Sequence, residues 1–256
     1  MISGVLLDLA GVIYDGDRAI PGAVDAVMRL RGAGLPLRFV SNTTRSTRRT
    51  VRDRLAGFGI SVPEDGLFTP ALAALEWLAE RGLSPHLLVH PDLEAEFEGL
   101  PAHGRRAVVI GDVGETLDYT ALNQAFRELN EGADFLALAS NRAFKDADGK
   151  LSLDAGPFVA ALEFASQRRA TVLGKPSPDF FLTALASMNC PQGEAVMVGD
   201  DAEGDVAGAL DAGLSSALLV RTGKYRPGDE TRFEPRPTAV FKDLAEAADW
   251  IVARKK

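Results

Sequence analysis

The chain of 256 residues has a single cysteine, Cys190. One thiol excludes an intrachain disulfide framework and a cysteine-rich metal site. Its neighbours Met188, Asn189 and Pro191 read as a loop after a helix, so Cys190 is expected to be structural. Long hydrophobic runs are also missing. No apolar stretch of about 18 residues occurs, and no charged segment with an apolar signal core precedes the first strand, so a cytoplasmic protein with no membrane partner is expected. Positive charge is in deficit, with 28 Lys and Arg against 36 Asp and Glu and a formal net charge of −8. Counterion release needs clustered Lys and Arg, so no nucleic-acid partner is expected. The three histidines, His86, His90 and His103, lack a ligand spacing such as His-x-x-x-His, which argues against zinc. What remains is 46% hydrophobic and 25% charged, the balance of an ordinary globular protein. The length suits one large domain, or one domain carrying a sizeable insertion.

Strands and helices alternate from the start. The apolar run Val5-Leu6-Leu7 delivers Asp8 to the C-terminal end of a strand, and Gly11 lets the backbone turn close to whatever that carboxylate holds. Pro21 suits a first helical turn, and the helix through Val24, Val27, Met28 and Leu30 stops at Gly34. Residues 35–40 form a short strand ending in Ser41-Asn42-Thr43-Thr44, a capping cluster for the basic amphipathic helix that carries Val51, Leu55 and Phe58. Phe68-Thr69-Pro70 opens another helix, to Arg81. This order implies an α/β fold with a doubly wound, Rossmann-like parallel sheet. The middle of the chain carries strands near 87–89, 107–110 and 135–138 and helices near 92–98 and 119–130. Asp148-Gly149 is placed at a hairpin turn, and a helix over 156–166 leads to a strand at 170–173. Residues 77–172 are taken as an inserted α/β domain in a core formed by 1–76 and 173–256. The βα rhythm then resumes. Lys175 precedes a helix over 179–187, and a strand over 195–198 ends at Gly199-Asp200-Asp201, with Asp205 shortly after. A helix through Val206 and Leu210, a strand over 215–220, a polar loop over 221–237 and a helix over 243–253 complete the chain. Trp77 and Trp250 fall in helical patterns as packing residues.

Asp8, Ser41-Asn42, Lys175 and the Asp200/Asp201/Asp205 cluster each stand at the end of a predicted parallel strand. Singly, each has an ordinary explanation: a turn former, a helix cap, an exposed turn residue, acidic charge favouring a helix N-terminus. Together those explanations require four independent accidents at the edge of the sheet where ligands bind in open α/β folds. As a set they match phosphoryl transfer. Asp8 and Asp200 are hard oxygen ligands suited to Mg²⁺, and Lys175 offsets the charge between two carboxylates and a phosphate. The Ser41 side chain and the Asn42 amide would hold phosphate oxygens at a helix start.

The segments Asp8-Leu9-Ala10-Gly11-Val12, Phe39-Val40-Ser41-Asn42, Gly174-Lys175-Pro176-Ser177-Pro178 and Gly199-Asp200-Asp201 with Asp205 resemble, in order, the four motifs of the haloacid dehalogenase-like hydrolases. Ile20-Pro21-Gly22-Ala23 and the insertion between the second and third motifs resemble the subgroup with a large α/β cap, class IIA, which includes nucleotide and pyridoxal phosphatases. Residues 221–230 and 153–158 are similar to the phospholysine, phosphohistidine and inorganic pyrophosphate phosphatases within it. The resemblance spans nearly the whole chain. It implies that Asp8 is the nucleophile, forming an aspartyl-phosphate that water cleaves. It implies Mg²⁺ held by Asp8, the Ala10 carbonyl oxygen, Asp200 and Asp205, with Asp201 supporting the water network. Asn141 would approach a small phosphorylated substrate from the cap, which commonly selects substrate and forms a homodimer interface. Gly111-Asp112, with Asp118 beyond it, imitates the 199–205 cluster but precedes the lysine with the wrong spacing, so it is assigned to the structure of the insertion.

One departure from the family pattern stands out. The position two after the nucleophile is usually a second aspartate that protonates the leaving oxygen and later activates water. Here it is Ala10, which has no proton to give. General acid–base help is worth about 10²–10⁴ in rate, and its loss falls hardest on strongly basic leaving groups such as sugar or alkyl oxygens. The expectation is a Mg²⁺-dependent phosphatase favouring P–N bonds, pyrophosphate or other activated phosphates. The alternative is a catalytically weak module that binds a phosphate ligand or a partner.

Overall fold

The buried apolar runs assemble into a six-stranded, all-parallel sheet. The computed structural model describes residues 1–114, 117–145 and 150–256. From edge to edge the strands are Ala239–Phe241, Ser216–Val220, Ala195–Gly199, Gly4–Asp8, Leu37–Val40 and Leu67–Phe68. Gly4–Asp8 is central and buried along its whole length. The chain leaves it to one side for Leu37–Val40 and returns on its other side at Ala195–Gly199, so strand order reverses beside Asp8. Ligands in open α/β sheets bind at such a reversal, outside the carboxyl ends of the strands. Val5, Leu7, Phe39, Val196 and Val198 pack with Leu30, Leu55 and Ile251 from the helices Ala23–Gly32, Arg48–Gly57 and Leu244–Val252.

The chain divides into two compact units. One comprises Met1–Ser41, Val51–Phe68 and Lys175–Lys256; the other comprises Asn42–Thr50 and Thr69–Gly174. The second has its own four-stranded parallel sheet, ordered Thr171–Val172, Asp134–Ala137, Arg106–Ile110 and Ser84–Leu88. A border at 76/77 would cut the helix Pro70–Arg81, whose Ala71, Ala74 and Leu78 pack with Leu83, Val109 and Leu136 of the second unit. Thr69 starts that helix, its hydroxyl accepting the Leu72 N–H at 3.3 Å. The strands Ala143–Lys145 and Leu151–Leu153 pair antiparallel; the turn expected at Asp148-Gly149 lies outside the described residues.

Three local differences from the sequence reading matter. Ser41-Asn42-Thr43-Thr44 does not cap the next helix, which starts at Arg48 with the Thr47 hydroxyl accepting the Thr50 N–H at 3.2 Å. The intervening residues are drawn elsewhere. Arg45 grips the buried Asp112 carboxylate through Nε, at 2.5 Å, and Nη2, at 3.3 Å, while Arg48 donates from its backbone and side chain to Glu96. The polar stretch after Val220 is followed by an edge strand, Ala239–Phe241, too short and too half-buried to stand out. The helix after Asp201 opens with wide, π-type turns over Ala202–Ala207. Among the described residues, no helix is long and apolar enough to cross a membrane.

Candidate active site

Asp8 ends the central strand, and Lys175 reaches it from a turn 167 residues later. The Lys175 ammonium is almost fully buried; it donates to Asp8 Oδ1 and lies 2.6 Å from Asp205 Oδ1. Asp200 follows the neighbouring strand Ala195–Gly199, and Asp205 sits in the wide turns after it. Asp205 folds back beneath the strand end, and the absence of a side chain at Gly199 permits this. A Cβ there would overlap the Asp205 Cβ and carboxylate. The helix Gly208–Asp211 comes equally close to the lysine turn, since a Cβ on Gly208 would lie 2.6 Å from Pro176 Cβ.

These groups hold more negative than positive charge out of water. Desolvation, with repulsion from Asp8 and Asp205, pushes Asp200 well above the usual carboxylate range. Desolvation likewise raises Asp205 to about 6; Lys175 pulls it down, while Asp8 and Asp201 push it further up. Burial alone would lower Lys175, but Asp205 and Asp8 outweigh it and hold the ammonium above its ordinary value. Among the described residues, Asp8, Asp200 and Asp205 are acidic side chains able to converge on one metal ion, with one oxygen of each within 4.8 Å of the others. An all-oxygen, carboxylate-rich donor set with surplus negative charge fits a hard divalent cation.

The turn after Asp8 is built by main chain. Leu9 O accepts from the N–H groups of Val12, Ile13 and Tyr14, and Gly11 N donates to Tyr14 O at 2.7 Å. Ala10 lies exposed in this turn. Over it lies a segment that the sequence reading did not place in the site. Thr222 Oγ1 donates to Gly11 O at 2.5 Å, and Lys224 N donates to Asp200 Oδ2 at 2.6 Å. A signal was available, because residues 221–224 leave the strand Ser216–Val220, next in the sheet to the one that carries Asp200.

The structure thus brings together Asp8, Lys175, Asp200 and Asp205. Ser41 is buried one residue beyond Val40, the register partner of Asp8, and its N–H donates to Phe68 O at 3.0 Å. Asn42 and Asn141 belong to the other unit, where the Asn141 carbonyl accepts from Gly156 N at 2.9 Å. Asp201 acts as a helix cap, accepting from the N–H groups of Glu203 and Gly204. The imitation cluster has structural work of its own. Asp112 binds Arg45, and Asp118 caps the helix Tyr119–Asn130 by accepting the Ala121 N–H at 2.8 Å.

Comparison with known proteins agrees with this geometry. A model for haloacid dehalogenase-like hydrolases matches residues 5–115, and a HAD-hydrolase-like model matches residues 172–247. The phospholysine phosphohistidine inorganic pyrophosphate phosphatase of Xenopus laevis is 44% identical over 259 residues, which span 98% of this chain and 95% of that protein. The chain belongs to the haloacid dehalogenase-like hydrolases. The hydrolase is also 42% identical, over 98% of its length and 96% of the other's, to human haloacid dehalogenase-like hydrolase domain-containing protein 2. Among solved structures it is similar to a 4-nitrophenylphosphatase from Thermotoga maritima, with TM-score 0.87, 28% identity and 97% of each chain covered. A glycerol phosphate phosphatase from Mycobacterium tuberculosis, solved in complex with magnesium, gives TM-score 0.82 and 28% identity, covering 95% of this chain and 75% of that one.

Proposed function

We propose that this hydrolase is a Mg²⁺-dependent phosphatase that works through an aspartyl-phosphate on Asp8 and favours activated phosphates. The observation that carries the proposal is the buried Asp8–Lys175–Asp205 contact with Asp200 in the same cluster: a nucleophile, a fixed cation and a surplus of carboxylates in one place. Asp8, Asp200, Asp205 and the Ala10 carbonyl would hold Mg²⁺, which when bound neutralises charge building up on phosphate oxygens.

The Asp8 carboxylate attacks phosphorus; its P–O bond forms while the bond to the leaving group breaks, and the leaving group departs with the electron pair. Lys175, which donates to Asp8 Oδ1, holds that carboxylate in place for the attack. Water then attacks phosphorus, the bond to Asp8 breaks, inorganic phosphate leaves and the carboxylate is restored. Ser41, Asn42 and Asn141 are proposed as substrate contacts, as in the sequence reading. The Ala10 methyl cannot protonate a leaving group, so departure relies on an intrinsically stable leaving anion or on a nitrogen already protonated by solvent. The name of the Xenopus laevis relative, which lists P–N and pyrophosphate substrates, supports the same preference.

The test is turnover of a panel comprising imidodiphosphate, pyrophosphate, phosphohistidine, 4-nitrophenyl phosphate and sugar phosphates with Mg²⁺. Activated phosphates should be hydrolysed fastest, and Asp8→Asn should abolish turnover on all of them. A preference for sugar phosphates would refute the leaving-group proposal. No turnover together with calorimetric binding of phosphate ligands, and no beryllofluoride uptake at Asp8, would favour the weak binding module instead. Homodimerisation through the inserted unit and a cytoplasmic location belong to the same proposal; sedimentation of the purified protein checks the former.

A further inference from the structure

We propose that the segment Thr222-Gly223-Lys224, which carries none of the four motifs, positions two of the metal donors: the Asp200 carboxylate and the peptide that bears the Ala10 carbonyl. The inference rests on the metal site proposed above. Lys224 N donates to Asp200 Oδ2 at 2.6 Å, which restrains that carboxylate and leaves its other oxygen for a metal ion. The Ala10 carbonyl belongs to the peptide whose nitrogen is Gly11 N. That peptide is tied by Gly11 N to Tyr14 O, and the peptide that follows it, Gly11–Val12, is held at its carbonyl, Gly11 O, by Thr222 Oγ1.

The packing between the two segments leaves no slack. Gly11 and Gly223 both have left-handed backbones, with φ of 86° and 61°. A Cβ on either would run into Asp200 Oδ2; one on Gly223 would also meet Gly11 Cα at 2.5 Å, and one on Gly11 would meet Gly223 Cα at 2.8 Å. Two glycines therefore stack against one carboxylate, a closeness that a mere connection between the strands Ser216–Val220 and Ala239–Phe241 does not require. The Lys224 side chain turns away, with Nζ 3.3 Å from Asp201 Oδ2, so the main chain does the holding at Asp200. Groups that orient metal ligands typically change metal affinity 10–100-fold when altered.

Calorimetric titration of Mg²⁺ into the metal-free full-length protein tests this. Gly223→Ala should bind Mg²⁺ about 10–100-fold more weakly than wild type. Thr222→Val should also weaken binding, and Thr222→Ser, which restores the hydroxyl, should recover it; a structural role in packing alone would not track the hydroxyl. Lys224→Ala keeps the backbone N–H and should bind no more weakly than wild type. Melting in EDTA verifies that each variant folds, and the Thr222 pair decides the matter should Gly223→Ala fail to fold. Affinities of Gly223→Ala and Thr222→Val within about twofold of wild type, far short of the expected loss, would overturn the positioning role and leave the metal site standing. A loss in Lys224→Ala equal to that in Gly223→Ala would overturn the assignment to the main chain. If wild type itself takes up no Mg²⁺, the metal site fails, and the inference with it.

Discussion

Under the proposed mechanism, Ala10 would set the range of leaving groups that Asp8 can expel. Ala10 is exposed in the turn two residues beyond Asp8, so a carboxylate fits there without displacing core side chains. Ala10→Asp should raise kcat/KM for alkyl and sugar phosphates by about 10²-fold or more and change pyrophosphate and P–N hydrolysis far less. Steady-state kinetics on paired substrates check this, and equal gains on both classes would show that the vacancy does not govern selectivity. Asp205 makes a second prediction at this scale. Its folded pKa is raised by desolvation to about 6 from an ordinary 3.8, so the fold favours the protonated form. That stabilisation is complete below about pH 4 and is lost as pH rises to about 6, with no further change above. In EDTA, the melting temperature of Asp205→Asn relative to wild type should therefore rise between about pH 4 and 6 and level off, because Asn does not titrate. A difference that stays flat across this window would mean that Asp205 ionises in the fold without penalty.

At the scale of elements, the strand ends were legible because each pairs an apolar run with a residue out of place in it. Asp8 and Asp200 follow neighbouring strands of one sheet, as βα alternation implies, but the strand expected before Lys175, Thr171–Val172, pairs in the second unit's sheet, so Lys175 reaches Asp8 from a turn and not from an end of the same sheet. The helix Pro70–Arg81 announced itself through Thr69 and Pro70, as cap and first turn. The capping cluster after Val40 misled because Arg45 and Arg48 are engaged by Asp112 and Glu96, partners distant in sequence, and local propensity carries no trace of such contacts. The bond from Thr222 to Gly11 spans 211 residues and was invisible for the same reason. Gly199 shows how tightly an element can be bound to the site it carries. It ends a fully buried strand, and a methyl there has nowhere to go except into Asp205. Gly199→Ala should cost about 1–3 kcal/mol as overpacking, read from denaturant unfolding, and should depress kcat by displacing Asp205. Wild-type kcat in a folded Gly199→Ala protein would mean that Asp205 tolerates displacement.

At the scale of the molecule, the two units have separate cores: one is built on Val5, Leu7, Phe39 and Val196, the other on residues such as Leu78, Val109 and Leu136. Every proposed metal donor, Asp8, Ala10, Asp200 and Asp205, belongs to the first. A ligand stabilises only the states that bind it, so Mg²⁺ should stabilise that unit and leave the other unchanged. The chain supplies its own reporters, because its two tryptophans are divided between the units: Trp250 in the first and Trp77 in the second. Each is a natural fluorescence probe once the other is replaced by Phe. With Mg²⁺ at about 100 times its Kd, the stabilisation is about 2.7 kcal/mol, or about 5–10 °C for a body of this size. The melt reported by Trp250 in Trp77→Phe should shift upward by that amount, while the melt reported by Trp77 in Trp250→Phe should stay in place. Equal shifts of both reporters would show that the units unfold as one thermodynamic body. A shift confined to Trp77 would place the metal in the inserted unit and overturn the donor set built around Asp8.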